Sequence, residues 1–335
     1  MNTNDLLSHI QHTTRTLISD ASHKPCTIIL GLSAGPDSVC LFHALAPLHA
    51  DGTITLVAAH LDHQWRSEQE AENDRVLCAQ ICSTHHIPFY AAQANDIKTT
   101  LAQHRTRTGS PEADARHIRH AFFQHVAHKV APNSTPLIAL AHHADDQYET
   151  FFIRLLRGSS TTGLAGMKQR SNNIIRPLLF MRKEEILSWL RTNNIPYRID
   201  HTNSSDAFLR NRIRKTLIPA LKHCDTRALT TLQNTMQSLQ EQEELLSHIA
   251  NKKHAELMRE DGYNLPLWRT LHPAMQKRIL LIILIQKSII FTPSTGFLNE
   301  LLRFLAHPAG GRHDIAPGSY VWKKGKRFGL EQQSP

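Results

Sequence analysis

Residues 27–38, TIILGLSAGPDS, run an apolar stretch straight into a loop of small residues, and this junction decides the fold. TIILGL reads as a buried strand, and a helix follows the loop through Leu41 and Leu45. In a doubly wound sheet, ligands bind outside the carboxyl ends of the strands. Small residues there let backbone N–H groups approach phosphate oxygens, and the helix N-terminus adds partial positive charge. Ser33 and Ser38 can donate hydroxyl hydrogen bonds to the same oxygens. Asp37 would repel phosphate, so its expected role is to hold Mg2+ between itself and the phosphates. The loop has neither the G-x-G-x-x-G spacing of a dinucleotide site nor the Gly-Lys-Ser/Thr ending of a Walker loop. The alternative is an ordinary strand–turn–helix junction.

Further strands are expected at 55–61 (TLVAAHL), 88–93 (PFYAAQ), 136–142 (PLIALAH) and Ile174–Leu179. Helical stretches lie between them. One opens at Ser67 with Glu70 three residues on, a capping box, and another opens at Ser110-Pro111-Glu112. A third runs from about Asp145 to Arg157 and stops at Gly158. This alternation predicts an α/β fold, a doubly wound and mostly parallel sheet with helices on both faces. Residues 226–260 contain no glycine or proline and read as one long helix. From Tyr263 the pattern changes to helices near 273–290 and 295–306, then short strands from His313 to Leu330 around turns at Pro317-Gly318 and Gly325. The expected organisation is a catalytic domain over 1–222, a helical linker over 223–260 and a small α+β domain over 261–335.

The fourth strand leads into His142-His143-Ala144-Asp145-Asp146-Gln147-Tyr148-Glu149-Thr150 and then Arg154-Leu155-Leu156-Arg157-Gly158. Asp146 and Glu149 are i and i+3, so they share a helix face at the carboxyl edge of the sheet. Two carboxylates there can bind Mg2+ or hold an ammonium group, while Asp145 is placed to cap the helix. SAGPDS resembles the S-G-G-x-D-S loop of the N-type ATP pyrophosphatases (PP-loop enzymes), with Ala34 where glycine is usual. The carboxylate segment resembles H-H-x-D-D-x-x-E-T…R-L-L-R-G of the tRNA(Ile)-lysidine synthetase family. AHLDHQWR (59–66), ARHIR (115–119), GLAGM (163–167), RPL (176–178), Asp200–Asn203 and RNRIR (210–214) agree in order and spacing. His120 stands where that family usually has tyrosine. The resemblance covers residues 25–222 and fades beyond them.

The resemblance implies a reaction and residue roles. ATP adenylates the C2 oxygen of the wobble cytidine in an isoleucine tRNA with a CAU anticodon. The ε-amino group of free L-lysine then displaces AMP. Ser33, Ala34, Gly35, Pro36, Asp37 and Ser38 would bind ATP, with Mg2+ on Asp37. Asp146 and Glu149 would receive the lysine ammonium and help remove its proton. Arg116 and Arg119 would neutralise phosphate or tRNA charge, and Arg210, Arg212 and Arg214 would close over the nucleotide or the anticodon backbone. The basic turn Lys323-Lys324-Gly325-Lys326-Arg327 would contact the acceptor stem, giving the C-terminal domain a tRNA-binding role.

Composition fits this reading. The formal net charge is +9 and the sequence pI about 9.5, which favours a polyanionic partner; the alternative is a basic surface with no partner. The longest apolar run, Ile279–Ile285, is too short to span a membrane, and Met1–Thr14 carries no signal-peptide core. Five cysteines without a paired framework point to reduced thiols in a cytoplasm. A homodimer is left open by the sequence. Three rival readings remain. His60, Asp62, His63, His142, His143, Asp145 and Asp146 could build the metal centre of a phosphoesterase. A related enzyme could thiolate tRNA, but Cys78 and Cys82 are i and i+4 without a C-x-x-C, which suits buried thiols better. The chain could also bind tRNA without catalysis.

Overall fold

Alternate residues of the first strand enter two different cores, which is what a strand covered on both faces requires. The computed structural model describes residues 3–20, 25–101, 111–199, 209–289, 291 and 294–332. In β1 (Cys26–Gly31), Ile28 and Leu30 pack with Phe42, Leu45, Trp189 and Leu190. Ile29 faces the other way, onto Phe122, Phe123 and Val126. The same alternation continues in β2 (Ile54–Asp62), where Leu56 and Ala58 join the first core and Val57 and Ala59 the second. The helices that cover these faces include α1 (Thr3–Leu17), α2 (Pro36–Ala50), α3 (Glu68–Thr84), α4 (Ala94–Leu101) and α5 (Pro111–Val130).

The chain divides into two compact units, Met1–Gln237 and Ser238–Pro335. The first unit also holds β3 (Phe89–Gln93), β4 (Leu137–Ala139), α6 (Ala144–Leu156), α7 (Thr161–Leu164), β5 (Arg170–Ser171), β6 (Ile174–Ile175), α8 (Lys183–Thr192), α9 (Leu209–Arg212) and α10 (Ile218–Cys224). Its sheet runs in the order β3-β2-β1-β4-β6-β5, parallel throughout except for β5 at the edge. The strand order reverses between β1 and β4, and a doubly wound sheet opens its ligand crevice at such a point. Ser67 caps α3 with Glu70 in the expected capping box. Ser110, expected to cap α5, lies outside the described residues.

The long helix expected over 226–260 is α11 (Ala228–Leu257), which begins in the first unit and ends in the second. The second unit continues with β7 (Met258–Arg259), β8 (Gly262–Asn264), α12 (Leu265–Arg269), α13 (Pro273–Gln286), α14 (Thr295–Ala306), β9 (Gly311–Ala316), β10 (Ser319–Lys324) and β11 (Arg327–Gln332). Its antiparallel sheet has the order β7-β8-β11-β10-β9 around a core of Trp268, Ile279, Ile283, Leu301, Leu305, Val321 and Phe328. Gly318 (φ 70°) and Gly325 (φ 58°) take the positive φ that the two connecting turns need.

The basic turn needs a correction. Lys323 is only 3% exposed. Its ammonium donates to the carbonyl of Phe304 at 2.7 Å and to that of His307, with the Phe304 ring 4.9 Å away. It therefore serves the C-terminal end of α14, where unpaired carbonyls and the helix dipole favour a cation. It is not placed to meet a phosphate backbone, whereas Lys324 and Lys326 are exposed.

Candidate active site

The loop after β1 is held open by its own hydroxyls. Ser33 N–H donates to Ser38 Oγ at 3.1 Å, the two hydroxyl oxygens lie 3.1 Å apart, and Ser38 Oγ donates to the Gly35 carbonyl at 2.9 Å. Gly35 caps α2 in an extended conformation, followed by Pro36 at the first helical position. A Cβ at Gly35 would press within 3.3 Å of Ser33 Oγ. The left-handed residue is Ala34 (φ 61°), fully buried, whose carbonyl accepts from Arg198 N–H at 2.9 Å. His60, at the end of β2, shares a 2.9 Å hydrogen bond between its Nδ1 and the Leu32 carbonyl, tying the second strand to the loop. That contact gives the AHLDH segment a structural task, and burial lowers the His60 pKa despite the hydrogen bond.

Asp37 does not stand alone. Lys183 Nζ lies 2.5 and 2.6 Å from its two oxygens, and the Lys183 N–H donates to Asp145 Oδ2 at 3.0 Å. Asp145 therefore receives the first turn of α8; it is His143 that stands at the N-cap of α6. The Asp146 carboxylate reaches back to the His143 N–H at 3.0 Å. The His143 ring sits among three carboxylates, 3.7 Å from Asp37, 3.4 Å from Asp145 and 3.5 Å from Asp146. Burial opposes a charge on this ring, but the carboxylates outweigh it and raise its pKa. Burial works against ionised Asp146 too, yet His143, His142 and Arg210 hold its pKa down.

Glu149 departs from expectation. Its side chain is 0% exposed, and its two oxygens accept from Arg210 Nε and Arg214 Nε at 2.5 Å each. Arg210 Nη2 also donates to Asp146 Oδ1 at 3.0 Å. A π-helical turn over 213–217 follows α9, and Arg210 and Arg214 are four residues apart, so both meet the same carboxylate. A carboxylate saturated by two guanidinium groups cannot receive a substrate ammonium while those pairs persist. Glu149 instead anchors the arginines. Arg212 lies exposed between them.

A second basic group gathers beside β4 and β6. Burial, then the neighbouring charges of Arg116 and Arg210, lower the pKa of Arg119. Burial and Arg116 do the same to Arg176 and Arg154. Arg176 donates through Nη1 to the Lys168 carbonyl at 2.9 Å, but its buried Nε has no hydrogen-bond partner among the described residues. Burial holds the nearby His142 neutral, its pKa pushed down to about 4. Arg119, Arg154 and Arg176 are thus partly desolvated cations within electrostatic reach of the exposed Arg116, an arrangement that can attract an anion. Arg154 also donates to the carbonyls of Gly163 (2.7 Å) and Gly166 (3.2 Å). Gln147 exchanges two hydrogen bonds with Met167 at 2.7 and 2.8 Å, so α6 carries the GLAGM loop on its flank.

The structure thus brings Asp37, Asp146 and His143 together, seats Arg210 and Arg214 on Glu149, and groups Arg116 with Arg119. Lys183 carries no signal in the sequence reading, and Arg154 and Arg176 appear there only as motif residues without a role. Asp200–Asn203 lies outside the described residues. Among the described residues, no group of three or more His, Cys, Asp or Glu side chains is arranged to hold a metal ion, and no helix is long and apolar enough to cross a membrane. All five cysteines are free; Cys78 and Cys82 are buried, and that burial pushes both thiols up to about 12.

The tRNA(Ile)-lysidine synthase of Bacillus subtilis (strain 168) is 37% identical over 230 residues, 68% of this chain and 47% of that protein. The enzyme of the same name from Clostridioides difficile (strain 630) is 34% identical over 261 residues, 76% of this chain and 54% of its own length. The chain spans about half the length of these curated relatives. Among solved structures, the U34-tRNA thiolase NcsA from Methanococcus maripaludis superposes with a TM-score of 0.57 at 16% identity, over 71% of this chain and 80% of that one, which shows a shared fold. A phosphate-ready loop at the switch point of the sheet lies inside a match running from residue 6 to residue 221, and the chain belongs to the PP-loop domain family.

Proposed function

We propose that the chain uses ATP to adenylate the C2 oxygen of the wobble cytidine in an isoleucine tRNA with a CAU anticodon, and then joins free L-lysine to C2. The observation that carries this reading is the juxtaposition at the switch point: Asp37 in the phosphate loop, and Asp146 beside its arginines, bridged by His143. The names of the relatives and the motif order from Ser33 to Arg214 support it.

In the first step the C2 oxygen bonds to the α-phosphorus and pyrophosphate leaves. The loop N–H groups, Ser33, Ser38 and the α2 N-terminus hold the leaving phosphates. Asp37, a partly exposed carboxylate in the first turn after the phosphate loop, would hold a Mg2+ carried mainly by the substrate phosphates, and the ion would neutralise their charge. In the second step the lysine ε-nitrogen bonds to C2, the C2–O bond breaks and AMP leaves. Asp146, which accepts from Arg210 and the His143 N–H and keeps acceptor sites beyond them, holds the incoming ammonium and helps pass its proton to solvent, since both Glu149 oxygens are committed to Arg210 and Arg214. Arg116, Arg119 and Arg176 neutralise phosphate, while Arg212 and Lys324 lie free to meet the tRNA backbone. The free, buried thiols suit a reducing cytoplasm.

Labelled lysine, ATP and a CAU-anticodon isoleucine tRNA transcript test this directly. Lysine should become acid-precipitable only when ATP and that tRNA are both present. Incorporation without ATP, or ATP-dependent sulfur transfer in its place, would replace the reading.

A further inference from the structure

We propose that Lys183 is a ligand of the nucleotide's β- and γ-phosphates, resting on Asp37 until the nucleotide arrives. The inference deepens the proposed ATP site and rests on it. Lys183 is the first residue of α8. Its backbone N–H is fixed by Asp145 Oδ2 at 3.0 Å, so the start of α8 stands at the mouth of the crevice. From there the side chain crosses to the phosphate loop and places Nζ 2.5 and 2.6 Å from the two Asp37 oxygens.

Two features separate this contact from an ordinary structural ion pair. The first is its accessibility: the side chains are 31% and 25% exposed, so water and ligands reach both groups, and such a pair adds little to stability. The second is its place. Asp37 lies in the first turn of α2, directly after the phosphate loop. Left bare, its carboxylate would repel a triphosphate. With a divalent cation on Asp37, the Lys183 ammonium loses its partner within a few ångströms of the loop that holds the phosphates. A compact ammonium on a four-carbon stem can swing from carboxylate to phosphate without moving backbone. The exchange keeps every charge paired in both states.

The test is calorimetric binding to the full chain of α,β-methylene-ATP, inorganic pyrophosphate and AMP, each with Mg2+, for wild type, Lys183→Gln and Lys183→Arg, with a urea midpoint for each protein. Lys183→Gln should lose roughly tenfold or more in affinity for the ATP analogue and for pyrophosphate, the scale of a lost charge-assisted hydrogen bond. AMP binding and the urea midpoint should stay unchanged, and Lys183→Arg should recover most of the loss. Equal weakening of AMP and pyrophosphate, or unchanged pyrophosphate affinity in Lys183→Gln, overturns the proposal. If Lys183→Gln does not fold, Lys183→Met takes its place in the same assay, and failure of both to fold marks the pair as structural and overturns the proposal. A wild-type chain that binds no nucleotide would instead defeat the ATP reading itself.

Discussion

Replacing Glu149 by Gln removes one charge at a buried junction and leaves the shape nearly unchanged. The Glu149 side chain is 0% exposed and accepts from Arg210 Nε and Arg214 Nε, both at 2.5 Å. Glutamine keeps one acceptor oxygen and turns an NH2 group toward the second guanidinium, so a donor meets a donor. Removing one partner of a buried ion pair costs ~3–5 kcal/mol. Arg210 and Arg214 are 35% and 46% exposed, so water recovers part of that cost. The expected loss is ~2–3 kcal/mol, read as a lowered urea midpoint at unchanged slope.

The functional consequence follows from the same geometry. Arg210 also holds Asp146 at 3.0 Å, so releasing Arg210 and Arg214 disturbs both the carboxylate proposed for lysine and the guanidinium groups expected to close over the nucleotide. ATP–pyrophosphate exchange and lysine transfer should therefore fall together in Glu149→Gln. A double-mutant cycle with Arg214→Gln should show a coupling of ~1 kcal/mol or more. The reasoning is refuted if the urea midpoint does not move and only the lysine KM rises. Glu149 would then be free in solution to meet the amine, and the arginine pairs would not persist.

Ala34→Gly should change stability by less than ~1 kcal/mol, because relief of ~1–2 kcal/mol at a left-handed alanine is offset by a lost buried methyl of ~0.8 and added chain freedom of ~0.5–1; a tenfold fall in ATP affinity would show that the methyl packs functionally. Lys323→Met should destabilise the second unit by ~1–3 kcal/mol in thermal or urea unfolding and leave tRNA binding nearly intact, whereas Lys324→Ala should weaken tRNA binding in filter assays without changing stability. Arg176→Gln should reduce the thermal stabilisation given by added polyanions such as pyrophosphate or a tRNA fragment; an equal shift in both proteins would remove Arg176 from the anion site. Burial, with His85 nearby, lowers the His43 pKa from 6.5 to about 4, so between those pH values the unfolded chain binds a proton that the folded chain refuses. Stability should fall as pH drops from 6.5 toward 4, and His43→Gln should flatten that slope in urea midpoints measured across the window.

The sheet was legible because buried parallel strands announce themselves as short apolar runs, as TIILGL does. Their ends were less so. The runs 136–142 and Ile174–Leu179 continue past the ladders, which stop at Ala139 and Ile175. Leu140 N–H still donates to the Ile175 carbonyl at 3.0 Å. After that the backbone serves the site: Ala144 N–H bonds the Met181 carbonyl, and Leu179 N–H bonds the Arg176 carbonyl in a turn. Apolar composition reports burial, and the residues beside a crevice are buried without being strand.

The candidate site divides along a similar line. Residues within one segment could be placed together from spacing alone, as with Asp146 and Glu149 on one turn of α6. Their counter-charges could not. Lys183 lies 146 residues from Asp37, and Arg210 lies 61 residues from Glu149, so neutralisation depends on where α8 and α9 return to the sheet. That is why Glu149 reads in the sequence as a carboxylate open to an amine, while in the structure both its oxygens are paired with Arg210 and Arg214. Lys323 makes the converse case. It lies in a strand beside Lys324, and neighbouring strand residues face opposite sides, so both lysines could not point to solvent once Val321 was assigned to the core. A strand reading of Ser319–Lys324 already contains the burial of Lys323, and only the view of the basic turn as a single charged unit concealed it.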